Sequence, residues 1–142
     1  MVSLRPTFRE TQELVMTIVL WIATGLLATL ALFGGITKAF VPRAKLSASP
    51  GGEWTANASD GFVKSLGVLQ ILAAAGLILP AVLDIAPVMV PVTAVCWVLL
   101  MAGAMITHGR LAEYKFVVLN SVYLALAAFI AWGRFVVEPF TS

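Results

Sequence analysis

The chain has 142 residues, of which 61% are hydrophobic and only 11% are charged, and its formal net charge is +2 at pH 7. A soluble domain carries about 25% charged residues, and a chain this short has too little interior to bury so much apolar surface. Composition therefore excludes an ordinary soluble domain, and the absence of any run of Lys and Arg excludes a nucleic-acid-binding protein.

Four apolar stretches without a charged residue dominate the chain. They are Leu14–Thr37, Ser65–Leu83, Ile85–Thr107 and Phe116–Gly133. About 17 to 25 apolar residues suffice for a helix to cross the hydrocarbon layer of a membrane. We therefore predict an all-α, integral membrane protein: one transmembrane domain, residues 1–142, built as an up-down four-helix bundle whose main partner is the lipid bilayer.

The first two helices are predicted at residues 13–40 and 62–82. Pro42 cannot continue the first helix, and residues 41–61 form the main loop, with turn-forming Ser, Pro and Gly residues at its centre. Asp60 is a candidate N-cap for the second helix.

The last two helices are predicted at residues 85–108 and 114–137. Asp84 is a candidate N-cap for the third helix, Pro87 fits its first turn, and Pro91 lies where it can bend the helix. Gly109 is a typical residue at a helix end. Because the connections are short, neighbouring helices should be antiparallel.

This alternation gives the two membrane faces different charge. Six Lys and Arg residues lie at the face with the first and third loops, and three lie at the other. The positive-inside rule then favours these two loops in the cytoplasm. We expect a multi-pass protein of the bacterial cytoplasmic (inner) membrane. If Lys38 and Lys64 belong to a buried site, the count falls to four against three and no longer decides the orientation.

The same alternation should gather the polar side chains of the helices near one face. The candidate ligand-binding residues are Lys38, Lys64, Gln70, His108 and Asn120. Each also has a structural explanation: the lysines can snorkel to the interface, the amides can bond between helices, and a histidine is stabilised at a helix C-terminus. A histidine can alternatively carry a proton near neutral pH.

No familiar catalytic motif is present, so no catalytic residue is assigned and enzymatic activity stays open. One cysteine, Cys96, and one histidine give neither a disulfide nor a metal site. We expect no covalent cofactor, although a bound quinone or lipid fits the polar cluster.

Four segments, in this order and spacing, resemble the DoxX-like family of small four-helix membrane proteins. They are Gly34–Lys38, Lys64–Gln70, Ala75–Pro80 and Met101–His108. The resemblance covers about residues 16–132 and implies a four-helix fold and a link to redox systems, since the family includes a subunit of a thiosulfate:quinone oxidoreductase. Family members often have a glutamate at the position of Gln70, and an amide cannot exchange protons.

Two hypotheses about function follow. The first is an accessory or structural subunit that packs against other membrane proteins, or against copies of itself, in a larger membrane complex. The alternative is a quinone- or lipid-binding component of a membrane oxidoreductase, with Lys38, Lys64 and His108 around a headgroup. A small-solute transporter is a third reading, disfavoured because the charges lie near helix ends rather than at the membrane midplane.

Overall fold

The computed structural model describes residues 4–141, and it confirms the predicted all-α fold. The five α-helices are α1 (Phe8–Phe40), α2 (Arg43–Ser47), α3 (Asp60–Val82), α4 (Met89–Arg110) and α5 (Tyr114–Trp132). A 3-10 helix, Glu53–Asn57, lies in the main loop, and a π-helical segment, Gly133–Val137, follows α5 directly. Within residues 4–141 there is no β-strand.

Helix α1 begins five residues before the predicted start because Thr7 and Glu10 form a reciprocal cap. The Thr7 hydroxyl accepts from the Glu10 amide at 3.3 Å, and the Glu10 carboxylate accepts from the Thr7 amide at 2.7 Å. The helix ends at Phe40, ahead of Pro42, as predicted. Its 33 residues span about 50 Å, which exceeds the hydrocarbon thickness of about 30 Å, so part of α1 projects beyond the membrane core.

The N-cap of α3 is Ser59 rather than the predicted Asp60. The Ser59 hydroxyl accepts from the Phe62 amide at 3.1 Å, which satisfies one of the free amides of the first turn. Asp60 instead lies in the first turn, where a carboxylate is favoured by the helix dipole.

The prediction that Asp84 caps α4 is wrong. Asp84 has φ 52° and ends α3, and the next amide, of Ile85, donates to the Pro80 carbonyl at 3.0 Å. Aspartate tolerates this left-handed conformation better than most residues, and the geometry is a Schellman-type helix end. Helix α4 consequently begins at Met89 instead of residue 85, and Pro91 falls in its first turn, where it breaks no hydrogen bond.

The four long helices form a ring in which α1 packs on α3, α3 on α4, α4 on α5 and α5 on α1. The core between them is small and consists mainly of alanine and leucine side chains around Trp97 and Met101. No more than 33% of the residues in any span are buried, and large apolar side chains such as Phe33 (77% exposed) and Leu99 (69%) point outward. Such surfaces require lipid around them, so the chain is a multi-pass membrane protein.

Candidate functional site

The main loop joins the two halves of the bundle at one end. Gly51 has φ 82°, a conformation that suits glycine, and a Cβ added there would lie 2.8 Å from the ring of Phe116 at the start of α5. The end of α1, the start of α3, the end of α4 and the start of α5 therefore share one end of the bundle, which we call the loop end. Lys38 and His108 both lie there, as the alternation of helices predicts.

Two of the five predicted site residues contact each other. The Lys38 Nζ atom donates to Oε1 of Gln70 at 3.1 Å and lies 3.5 Å from the carbonyl oxygen of Gly34. Gln70 is only 7% exposed and Lys38 is half-buried. An amide oxygen that accepts from an ammonium gives each of the two groups a polar partner, so this bond links α1 to α3.

The bond forms because the two helix backbones come very close. A Cβ at Gly67 would lie 2.6 Å from the Ala39 amide nitrogen and 2.7 Å from the Gly35 carbonyl oxygen, and a Cβ at Gly35 would lie 2.7 Å from the Gly67 carbonyl. Only glycine fits at both positions. Gly34 adds the space into which Lys38 and Gln70 extend, since a Cβ there would lie 3.3 Å from the Gln70 oxygen.

Lys64 and Asn120 do not join this pair. Lys64 forms a 3.1 Å ion pair with Asp60 one turn earlier, and both side chains are more than half exposed. The amide nitrogen of Asn120 donates to the backbone carbonyl of Phe116 in the same helix at 2.7 Å. Lys64 is thus an exposed lysine in the first turns of α3, and the hydrogen bond of Asn120 stays within α5.

His108 has a different partner, one that sequence reasoning did not identify. Its Nδ1 atom lies 2.6 Å from Oε2 of Glu113, and both side chains are largely buried. The imidazole also packs on Phe116, with ring centroids 5.3 Å apart. A carboxylate at Nδ1 fixes the orientation of the ring and leaves Nε2 as the group that can exchange a proton.

The loop brings a second carboxylate to this pair. Glu53 has a pKa below its usual value, mainly because its own backbone amide donates to the carboxylate; desolvation opposes this shift, and the Gly51 amide, the Glu113 side chain and the charge of His108 add to it. The loop end therefore holds two polar groups of different kinds. One is the Lys38–Gln70 bond between α1 and α3, and the other is the His108–Glu113 pair of α4 and α5 under the main loop.

Sequence reasoning missed Glu113 and Glu53 because it searched within the apolar stretches. Both lie outside them, in the connection after α4 and in the main loop. The available signal was the position of Glu113, five residues after the single histidine and just past a helix end. In the described part of the chain, no three His, Cys, Asp or Glu residues come together as a group that could hold a metal ion.

The small-residue pairs on the helices divide into two sets. Ala31 and Gly35 of α1, like Ala127 and Ala131 of α5, are buried in the bundle. Gly25 and Gly103 behave differently, since a Cβ at either would meet nothing within 4 Å.

Each of these two outward glycines has a threonine one turn later. Thr29 donates its hydroxyl to the Gly25 carbonyl at 2.8 Å, and Thr107 donates to the Gly103 carbonyl at 3.0 Å. Because the hydroxyls fold back onto their own helices, each pair leaves a shallow, flat strip. We call these the Gly25/Thr29 strip and the Gly103/Thr107 strip.

Comparison with known proteins adds one finding. A family model described as the DoxX-like family matches residues 22–130. The chain belongs to the DoxX-like family. Searches against curated proteins and against solved structures found no match. The region matched by the DoxX-like family includes both polar groups of the loop end and both outward strips.

Proposed function

We propose that this DoxX-like protein is a non-catalytic accessory subunit that packs laterally against other membrane proteins. The observation that carries the proposal is the pair of outward strips on α1 and α4. In membranes, helices associate through small residues that let backbones approach closely, since lipid offers no hydrophobic drive for association. A flat glycine-threonine strip lets the backbone of another helix come close, so we assign the strips to a partner helix rather than to lipid tails.

The polar groups of the loop end support the same proposal. Lys38 is bonded to Gln70, Lys64 to Asp60, and Asn120 to its own helix. Side chains bonded to one another or to their own helix help to hold a bundle together and have fewer donors and acceptors left for a substrate. The protein contributes a rigid apolar body with two separate lateral faces, because α1 and α4 are not neighbours in the ring.

The test is native mass spectrometry of the protein released gently from its own membranes, comparing the natural chain with Gly103→Leu. A Cβ at this position meets nothing within 4 Å and Gly103 is exposed, so the variant should fold normally and lose only contacts across the strip. We expect the natural chain in a larger assembly and Gly103→Leu released from it.

Leu72→Phe is the matched control. Leu72 lies on α3, outside both strips, and is 61% exposed, so we expect the added bulk to contact lipid. This variant should stay assembled. If the natural chain is a strict monomer, or if both variants behave alike, the proposal is wrong.

A second candidate function rests on the His108–Glu113 pair. A histidine held by a carboxylate beside an aromatic ring is suited to donate a hydrogen bond to a quinone carbonyl and to transfer a proton to it. In this version the protein is the quinone-binding component of a membrane oxidoreductase, and Lys38 lies at the same end of the bundle.

The two candidates differ in what they require of His108. A short-chain quinone titrated into the purified protein should quench tryptophan fluorescence, and His108→Gln and Glu113→Gln should abolish the quenching. Lys45→Gln, at an exposed residue of the same end, serves as the control and should leave it unchanged. Equal quenching in all the proteins would reject quinone binding at this pair while leaving the accessory role intact.

A further inference from the structure

A second polar site lies at the other end of the bundle, around Arg134. This arginine is in the π-helical segment after α5 and is only 5% exposed. None of the ion pairs among residues 4–141 includes it. The carboxylate of Glu138, four residues later, acts on its charge without forming an ion pair, so the buried guanidinium keeps donors that an anion from outside the chain can use.

The contacts of Arg134 leave most of its donors unused. The guanidinium carbon lies 4.2 Å from the ring centroid of Phe140 and 5.7 Å from that of Trp21. Nη1 donates to the backbone carbonyl of Glu138 at 3.2 Å, and Nε is buried with no acceptor in the described chain. A guanidinium carries five N–H donors, so this side chain is held in place by aromatic rings and keeps donors for a further acceptor.

An open cavity of about 370 Å³ adjoins the guanidinium. Its lining combines Arg134 and Phe140 with Pro87, Val88 and Pro91 from the turn before α4 and its first residues. The lining is thus apolar except for one cation. The start of α4 adds the positive end of its helix dipole to the same side. Such a cavity suits an amphiphile with a negatively charged head.

The depth of Arg134 identifies where that head would lie. Lys115 and Arg134 are nineteen residues apart on one continuous helical segment, which is about 28 Å and close to the thickness of the hydrocarbon layer. With Lys115 at one boundary, Arg134 lies at the other. Trp21 and Phe140 beside it are typical of the interfacial aromatic belt. Phospholipid phosphates lie at this depth.

We infer that Arg134 binds the phosphate of an anionic phospholipid whose glycerol and upper acyl chain occupy the cavity against Pro87, Val88 and Pro91. The guanidinium fork matches two phosphate oxygens, and Trp21 and Phe140 keep it oriented. This site lies at the opposite end from His108 and Lys38 and does not depend on either proposed function. The lipid would hold the turn before α4 to the end of α5.

The experiment measures lipid retained by the purified protein in nanodiscs of phosphatidylglycerol or phosphatidylcholine, followed by native mass spectrometry and thermal unfolding. We expect one phosphatidylglycerol retained per chain, with a higher Tm than in phosphatidylcholine. Arg134→Gln should lower this retention at least tenfold, while Arg9→Gln, at an exposed arginine of the same end, should leave it unchanged.

Two further measurements distinguish loss of lipid binding from misfolding, and a bound lipid from free phosphate. Val88→Phe fills the cavity at an exposed residue and keeps Arg134, so it should lose the lipid with a normal helical spectrum. Inorganic phosphate added to the detergent-solubilised protein should give no rise in Tm. The inference is wrong if phosphate alone stabilises the protein as well as the lipid does, if phosphatidylcholine is retained equally, or if Val88→Phe keeps its phosphatidylglycerol.

Discussion

The Nδ1 atom of His108 lies 2.6 Å from Oε2 of Glu113, although residues five apart lie on different faces of an α-helix. The chain brings them together by ending α4 with Ala112 in the left-handed conformation, at φ 58°. The Glu113 amide then donates to the His108 carbonyl at 2.9 Å. Backbone and side chain thus pair the same two residues.

Ala112→Gly should stabilise the protein. An alanine pays a steric penalty in the left-handed region that glycine does not, so we expect a gain of about 0.5 to 1 kcal/mol. Thermal unfolding of the purified protein measures it. Ala44→Gly, in the exposed helix α2, is the control and should lower the Tm, because glycine weakens a helix. A lower Tm for Ala112→Gly would contradict the assigned turn.

Gly67→Ala should destabilise the contact between α1 and α3. The new Cβ would lie under 3 Å from the backbone of Ala39 and Gly35, and backbone cannot move aside as a side chain can. The expected cost is about 1 to 3 kcal/mol. Gly103→Ala, which meets nothing, should instead raise the Tm of the isolated chain, since alanine favours helix. Equal effects of the two substitutions would argue against the close approach.

Two substitutions at Gln70 should change the stability of the protein in opposite directions. One removes the bond with Lys38 and the other strengthens it. Gln70→Leu leaves the ammonium without its acceptor and should cost about 1 to 3 kcal/mol. Gln70→Glu replaces an amide oxygen 3.1 Å from the ammonium by a carboxylate, and a charge-assisted bond is stronger. Unfolding curves should therefore rank the glutamate variant first, the natural chain second and the leucine variant last. A leucine variant as stable as the natural chain would show that the bond contributes nothing.

Hydropathy alone predicted the four spans, their antiparallel order and the placement of Lys38 and His108 at one end. It could not predict which polar groups touch, because that depends on how each helix is rotated about its axis. Lys38 bonds to Gln70, whereas His108 pairs with Glu113, a residue outside every apolar stretch. An apolar sequence that is hydrophobic on all sides carries little information about rotation.

Two other features escaped prediction for local reasons. Asp84 suits both an N-cap and a left-handed helix end, and the structure uses the second. Arg134 reads in sequence as an ordinary interfacial residue, but the π-helical segment turns it inward against Trp21 and Phe140. A bulge of this kind has no strong sequence signal, although such bulges often occur at functional sites.

The main loop around Glu53 should become less stable in acid. Because the pKa of Glu53 is lowered in the folded protein, its contribution is complete above the unfolded value of about 4.3. The contribution is lost as the pH falls through the folded value. Limited proteolysis of the loop at pH 7 and below pH 4 measures this. Glu53→Gln should show a smaller change between the two conditions, and an identical change would show that Glu53 does not hold the loop.

The most direct test of the accessory role is photo-crosslinking in the native membrane from Leu99, one turn before Gly103 and 69% exposed. A photoreactive residue at Leu99 should give a discrete protein adduct, while the same residue at Leu72 of α3, 61% exposed, should give lipid adducts only. Adding Gly103→Leu should remove the protein adduct at Leu99. Lipid adducts alone at both positions would contradict lateral packing against a partner.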